Sequence, residues 1–416
     1  MATLEGQTIA GSYKDLLQVS NSNAGVDATA RAVSDGEGTA TLLYVSTTEV
    51  YSPGTGGTSN TAFGKNAGDA LDSGGNYNVF IGEEAGSAMA TGTNNIAIGF
   101  GAFDAADAGE DDCIAIGLNA LGNLNHASSV RNIAIGSGAG DGMGTLAGSI
   151  DNTFIGHDAG GGTWATAVST YNVGIGNYSM DAAMDGALYN TGVGYAALGA
   201  LTQGDNNVVI GALAADALLT GEGNTVIGKG ALGTSTVGTR MVAAGWGAIG
   251  GAAVTADAIG GIGIGFEALN ALTSGIGNVA IGYQSQDANV TGDYNTSVGT
   301  SALGALNVDG DAFNTAVGYQ SLLANTTGVQ NTAVGAGSGI AMTKGRYNTA
   351  YGYYSLGTED VGDRTTALGY SALYSQNSDS DNENTGNTGI GMQAGYYNVT
   401  GQNNTYVGYS AGQGAS

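Results

Sequence analysis

Positive charge is scarce in this 416-residue chain, where nine Lys and Arg stand against 35 Asp and Glu for a formal charge of -26. A surface of that sign repels nucleic acid, anionic membranes and other polyanions, so none of these is an expected partner. Proline and cysteine occur once each. With 77 glycines, one proline and no three-residue period, a collagen-like chain is excluded. The lone Cys113 allows no intrachain disulfide and says little about redox compartment. The only histidines, His126 and His157, fall in different repeats, so no Ser-His-Asp arrangement is expected, and we expect neither an enzyme nor a cofactor. No apolar run reaches about 18 residues, which argues against membrane insertion. Met1 to Ser12 carry Glu5 and no long apolar stretch, unlike a secretory signal.

What the chain has in abundance is one five-residue block. Asn314-Thr315-Ala316-Val317-Gly318 returns after 17 residues as Asn331-Thr332-Ala333-Val334-Gly335, and after 17 more as Asn348-Thr349-Ala350-Tyr351-Gly352. Twenty glycines close such blocks, from Gly64, Gly82, Gly99 and Gly117 through Gly247 to Gly318, Gly335, Gly352 and Gly408, at spacings of 17 to 22 residues. Four places before the Gly stands Asn in 16 copies, among them Asn60, Asn78, Asn95, Asn132, Asn152, Asn314, Asn331, Asn348 and Asn404. Cys113, Ala243, Gly261 and Thr365 fill the place in the others. The residue before the Gly (minus one) is large and apolar. The residue at minus two is mostly small, with Phe80, Phe154 and Tyr406 as bulky departures.

This alternation predicts a short strand in which minus three and minus one share a face and the small column lies opposite. The large residue at minus one reads as a core rung, and the Thr, Val or Ile at minus three as inward-facing with it. The closing Gly reads as a corner where positive φ or a close backbone approach excludes a Cβ. Three places after it stands Ala, Ser or Gly in every copy, such as Ala67, Ser179 and Ala394, supplying a second inward segment. A coil of about 18 residues cannot bury its apolar face alone, whereas stacked coils share one interior. The expected fold is therefore an all-β parallel β-solenoid of about twenty coils, with the Asn column hydrogen-bonding from rung to rung. At about 4.8 Å per rung the stack would be a stiff rod roughly 95 Å long.

Residues 1–50 lie outside the repeat. There Asp15–Val19 and Ala40–Val45 read as strands, with turn chemistry at Asp35-Gly36-Glu37-Gly38, so this stretch is taken as a small β-rich module. Residues 51–59, with the proline and a Gly/Ser/Thr run, read as a linker, and residues 60–416 as the shaft. Acid concentrates between blocks, at Glu110-Asp111-Asp112, Asp309-Gly310-Asp311 and Asp379 to Glu383, which are expected on exposed loops.

The Asn-x-Ala-Ile/Val-Gly-x-x-Ala/Ser block resembles the head repeat of trimeric autotransporter adhesins, which are left-handed parallel β-rolls assembled as trimers. It is more similar still to the Asn-Thr-Ala-Val-Gly-Tyr-x-Ser/Ala-Leu repeats of phage tail fibres and other virion appendages. Tyr13 to Val19 followed by Asp35 to Thr39 likewise resembles the N-terminal module of many phage fibre proteins. A cell-surface autotransporter would need a secretion signal and a C-terminal membrane barrel, and neither is read here. The resemblance implies a homotrimer in a virion, on tail or capsid, held by other virion proteins through residues 1–50 and contributing to host attachment. The small column at minus two is compatible with close approach of three chains. Alternatives are a bacterial cell-surface adhesin head, a capsid-attached decoration fibre, and an ice- or calcium-binding solenoid. For calcium the Gly-Gly-x-Gly-x-Asp motif is absent, leaving acidic loops such as Asp379 to Glu383 as weak cation collectors. For ice, Thr stands at minus three in 11 copies but alternates with Val and Ile and reads as inward.

Aromatics give the lead for recognition. One place after the Gly stand Tyr195, Tyr283, Tyr319, Tyr353, Tyr370 and Tyr409, and Tyr354, Tyr374, Tyr396, Tyr397 and Tyr406 crowd the same end. A Tyr ring offers a flat apolar face with a polar tip, which suits sugar stacking. Tyr319, Tyr353, Tyr370 and Tyr409 are therefore candidate contacts for a host-surface glycan or a distal fibre protein, the alternative being packing against their vertical neighbours.

Overall fold

The computed structural model describes residues 57–413, except 108, 145–147, 165–166, 257 and 382, together with the backbone of four strands before them. These are β1 (Gln18–Val19), β2 (Arg31–Ser34), β3 (Ala40–Val45) and β4 (Val50–Tyr51), which pair in that order as an antiparallel sheet. Asp15 to Leu17, the turn at Asp35 to Gly38 and residues 52–56 of the linker lie outside the described residues.

The chain divides into two compact units, Met1–Thr170 and Tyr171–Ser416, and both are parallel β-solenoid. In the first, six three-residue strands from Thr61–Phe63 to Thr153–Ile155 pair each with the next. The second stacks fourteen, from Val173–Ile175 to Thr405–Val407, in the same register, so that Thr315, Ala316 and Val317 lie beside Thr332, Ala333 and Val334. Helix among the described residues is one 3-10 turn, Asp141–Met143.

The strand triplet is where the sequence places it, but its faces are reversed. In the coil strands up to Thr388–Ile390 the residue at minus two is buried, and those at minus three and minus one are half-buried or exposed. Ala97, Ala134 and Ala316 are fully enclosed, whereas Ile227 is 46% exposed. The reason is the narrowness of the coil. The residues three and four places past the Gly, such as Ala197 and Leu198, are also fully buried, and they leave room opposite for only a small side chain.

The bulky departures at minus two follow from the same volume limit. A Cβ on Gly68 or Gly86 would come within 2.7 Å of the Phe80 ring, and one on Gly160 within 2.7 Å of Phe154. Where minus two is itself glycine, as at Gly192, Gly263 and Gly389, Met180, Ile249 and Leu373 occupy the space. Bulk is thus exchanged between two facing columns while the packed volume is conserved.

Register needs one correction. The strand Val242–Ala244 ends at Gly245, whose φ is 136°, so Gly245 and not Gly247 closes that coil. Met241 rather than Ala243 then holds the ladder place, and its N–H donates to Asn224 Oδ1 at 2.9 Å.

Candidate functional site

Three columns repeat along each unit: a buried amide ladder, a row of corners and rows of outward side chains. In the ladder, Asn95 N–H donates to Asn78 Oδ1 and Asn78 N–H donates to Asn60 Oδ1, both at 2.9 Å, while Asn78 Nδ2 donates to Gly92 O at 2.8 Å. One side-chain amide therefore ties its rung to the next and also holds the loop that leads into that rung. The same bonds join Asn152 to Asn132 (3.1 Å), Asn331 to Asn314 and Asn348 to Asn331 (3.0 Å each), and Asn404 to Asn387 (2.8 Å). Cys113 takes its place with N–H donated to Asn95 Oδ1 at 2.9 Å. Burial pushes its thiol up to about 12, so it is no nucleophile at neutral pH.

At the corners, Gly64, Gly82, Gly99 and Gly117 have φ between 136° and 141°, Gly318, Gly335 and Gly352 between 131° and 133°, and Gly408 120°. A Cβ on Gly99 would lie 2.4 Å from the carbonyl oxygen of Gly117, the corner of the next coil. Three further places per coil take positive φ whatever residue fills them. In one coil these are Tyr189 (58°), Ala196 (50°) and Leu198 (55°), flanking Gly194 at 139°. Non-glycine residues in this region cost about 1–2 kcal/mol each. Hydrogen bonds from the rungs above and below hold them there, such as Ala196 N–H to Asn177 O at 2.9 Å and Leu198 N–H to Ala214 O at 3.1 Å.

Of the four candidate tyrosines only Tyr353 and Tyr370 touch, stacked at 5.4 Å with 16° between planes. Ala336 separates Tyr319 from Tyr353 in that column, and Met392 separates Tyr370 from Tyr409. The contiguous surface runs elsewhere. From Tyr353 it turns through Tyr354 (4.6 Å, edge-on) to Tyr374 (6.3 Å), Tyr396 (5.2 Å, stacked) and Tyr397 (4.8 Å, edge-on). Stacking covers one ring face each in the pairs Tyr353–Tyr370 and Tyr374–Tyr396, while the other contacts of the row are edge-on or tilted.

A second aromatic row is masked in the sequence when Gly247 is taken as the corner. With Gly245 as the corner, Trp246 belongs one place after it, in line with Phe266 (5.5 Å) and Tyr283, which stacks on Phe266 at 5.1 Å. Lys229 on the preceding coil lies 5.6 Å over the Trp246 ring. A third set stands one place before the Asn column, where Tyr171 stacks on Tyr189 at 4.9 Å and Tyr294 on Phe313 at 5.3 Å.

The acids divide more finely than their loops predict. Glu110 and Glu359 are fully buried, and Glu359 accepts the Gly362 N–H at 2.7 Å, so these two are structural rather than exposed. Asp111, Asp205, Asp293 and Asp363 each accept a backbone N–H from the preceding coil at 2.7–2.8 Å, a second ladder that the sequence columns do not reveal. Asp112, Asp309, Asp311, Asp379 and Asp381 are exposed as expected. Among the described residues no group of three His, Cys, Asp or Glu side chains converges to hold a metal ion, and no helix is long and apolar enough to cross a membrane. His126 Nδ1 is used locally, accepting the Ser128 N–H at 3.1 Å, and His157 Nδ1 lies 2.9 Å from Asp158. Compared with protein-family models, curated proteins and solved structures, the chain matches none.

Proposed function

We propose that this chain is a structural virion protein without catalytic activity, a homotrimeric fibre that contributes to host attachment. The observation that carries the self-association is the outward face of the coil strands. Both units turn their large apolar column toward solvent, with Ile81 40% and Val407 65% exposed. A column made largely of Ile, Val and Leu, interrupted in the second unit by Ala244 and Tyr351, is more than a soluble monomer ordinarily exposes, and a second copy of the same chain offers a matching ridge at the same rung spacing. The resemblance to virion fibre repeats gives three as the number and residues 1–50 as the segment gripped by other virion proteins. The aromatic rows, which lie off this stripe by sequence position, are the surfaces left for the host.

Sedimentation velocity on the purified chain and on the Ile264→Asp/Ile281→Asp variant tests the assembly. A trimer that dissociates in the variant is expected, and a monomeric parent chain rejects it. Immunogold labelling of particles with antibody to residues 1–51 tests the virion location, and competition of host adsorption by the soluble protein tests attachment.

The outward turn of minus three also revives one alternative. Thr296, Thr315, Thr332, Thr349, Thr366, Thr388 and Thr405 form an unbroken in-register rank on that face. Ice binding would show as thermal hysteresis lost in Thr332→Leu/Thr349→Leu, and its absence from the parent protein removes that reading.

A further inference from the structure

Most basic residues of the coils are engaged within the chain, four of them by a carboxylate. Lys65 meets Glu83 at 3.0 Å, Arg131 meets Asp151 at 2.7 Å, Arg240 meets Glu222 at 3.4 Å and Lys344 meets Asp381 at 2.7 Å. Lys229 rests on Trp246. In a chain carrying 35 acids this is the expected outcome, because a carboxylate is rarely more than a rung away. Arg346 and Arg364 depart from it, since neither forms an ion pair among the described residues although both are exposed.

Their placement is fixed by the backbone. Arg364 N–H donates to Arg346 O at 3.0 Å, so the two arginines stand on adjacent rungs. The Arg364 guanidinium lies 5.3 Å over the ring of Tyr347, which is half-exposed. The nearest acid by sequence, Asp363, is buried, and its Oδ1 accepts the Arg346 backbone N–H at 2.8 Å. Lys344, close by in sequence, is already engaged by Asp381. Asp363 is the carboxylate next to both, but it is buried and bonded to the backbone, so the two exposed guanidiniums on neighbouring rungs are left without an ion pair, and an anion bound between them gains charge-assisted hydrogen bonds.

We infer that Arg346, Tyr347 and Arg364 form a binding site for an anionic saccharide, the guanidiniums holding its carboxylate or phosphate and the Tyr347 ring packing against the pyranose. This deepens the host-attachment reading and rests on it. Arginine suits the task because its planar fork matches both oxyanions, and Tyr supplies the apolar face that a sugar needs. The formal charge of -26 disfavours a densely charged polymer, so the ligand is a glycan with isolated acidic groups on an otherwise neutral chain.

The test is binding of the full chain to three sets of oligosaccharides on one neutral backbone: unmodified, carboxylate-bearing (uronic or sialic acid) and phosphate-bearing. The parent is expected to prefer one acidic set, whose identity names the source of the anion, and raised salt should weaken that binding. Arg346→Gln/Arg364→Gln should reduce it roughly tenfold to a hundredfold, the loss expected for charged hydrogen bonds, with an unchanged melting temperature because both side chains are exposed. Equal binding of neutral and acidic sets, or full retention in the double variant, overturns the site. A protein that blocks host adsorption yet binds none of the three sets also overturns it while leaving host attachment standing. Failure in both assays removes the attachment reading as well.

Discussion

Replacing Gly228 by Ala and, separately, Gly230 by Ala separates two explanations of the glycine content with two residues of the same coil. Gly228 is a corner with φ 132°, and a Cβ there would lie 2.5 Å from the carbonyl oxygen of Gly245 on the next rung. Relief to an ordinary contact of 3.4 Å requires that rung to open by about 0.9 Å. The bond it strains, Gly245 N–H to Ile227 O, is now 2.8 Å. Backbone strain of about 1–3 kcal/mol and the loss of one or two rung hydrogen bonds at about 1 kcal/mol each bring the expected cost to roughly 4 kcal/mol. Gly230 has φ 62° and nothing within 4 Å of where its Cβ would stand, and Ala196 already occupies the equivalent place at 50°. Its replacement should change stability by no more than about 1 kcal/mol, because αL strain is partly offset by a less flexible unfolded chain. Urea unfolding supplies the totals, and amide hydrogen exchange around Ile210, Ile227 and Ala244 shows whether the loss is local, as stacked coils allow. Equal costs for the two variants would refute the claim that rung contact makes the corner glycine obligatory.

Three further outcomes follow from the same geometry. Phe154→Ala should destabilise by about 3–5 kcal/mol and Gly160→Leu should also destabilise, since its Cβ would sit 2.7 Å from the Phe154 ring. The double variant should recover much of the loss on thermal unfolding, because Leu198 and Leu121 fill that place in other coils at similar φ. Cys113, buried with its thiol raised to about 12, should resist a thiol-specific maleimide in the folded protein and react on denaturation, so rapid native labelling would contradict its enclosure. Finally, desolvation raises the carboxyls of Asp104, Asp141, Asp216 and Asp287 above 3.8, whereas Asp151 is lowered by its bond to Arg131. A raised folded-state value means that the folded chain binds more protons, so the four contribute stability that is full below 3.8 and lost as pH rises through their folded values. The melting temperature should therefore climb as pH falls toward 3.8, where protonation of carboxylates at large also relieves the net negative charge; a falling midpoint on that approach would reject the assignment.

The period, the strand triplet, the corner and the amide ladder were legible because each is written in one column of residues. Gly228 and Asn207 occupy such columns, where the backbone or amide geometry accepts little else. The direction of the strand was not legible. Period two assigns residues to two faces without saying which is inside, and hydrophobicity pointed the wrong way because Ile227 is large and Val226 beside it is apolar too. Only the width of the coil decides, and that depends on Leu232 and Ala231 across the interior, both fully buried. The Gly245 corner failed for a related reason, since Trp246 before Gly247 imitates the large residue at minus one. That slip also concealed the Trp246–Phe266–Tyr283 row. The left-handed places filled by Tyr189, Arg240 or Leu303 leave no trace in composition, because neighbouring rungs impose their φ.

That imposition bears on where recognition can evolve. The place before the Asn column has φ near 60° whether it holds Asp151, Tyr171, Arg240 or Phe313, so the stack rather than the residue sets its backbone. Side chains there can vary with little effect on the fold, and each is presented on a rung about 4.8 Å from the next. At that distance a neighbouring pair interacts directly. Arg131 with Asp151 forms a closed ion pair, Tyr171 with Tyr189 a closed stack, and Tyr347 with Arg364 a cation on a ring. The ion pair and the stack have used their interaction within the chain. Arg346, in the neighbouring column one place before Tyr347, forms no ion pair among the described residues, and Arg364 keeps the N–H groups of its guanidinium beside its contact with the ring, so a ligand gains most there for the fewest contacts.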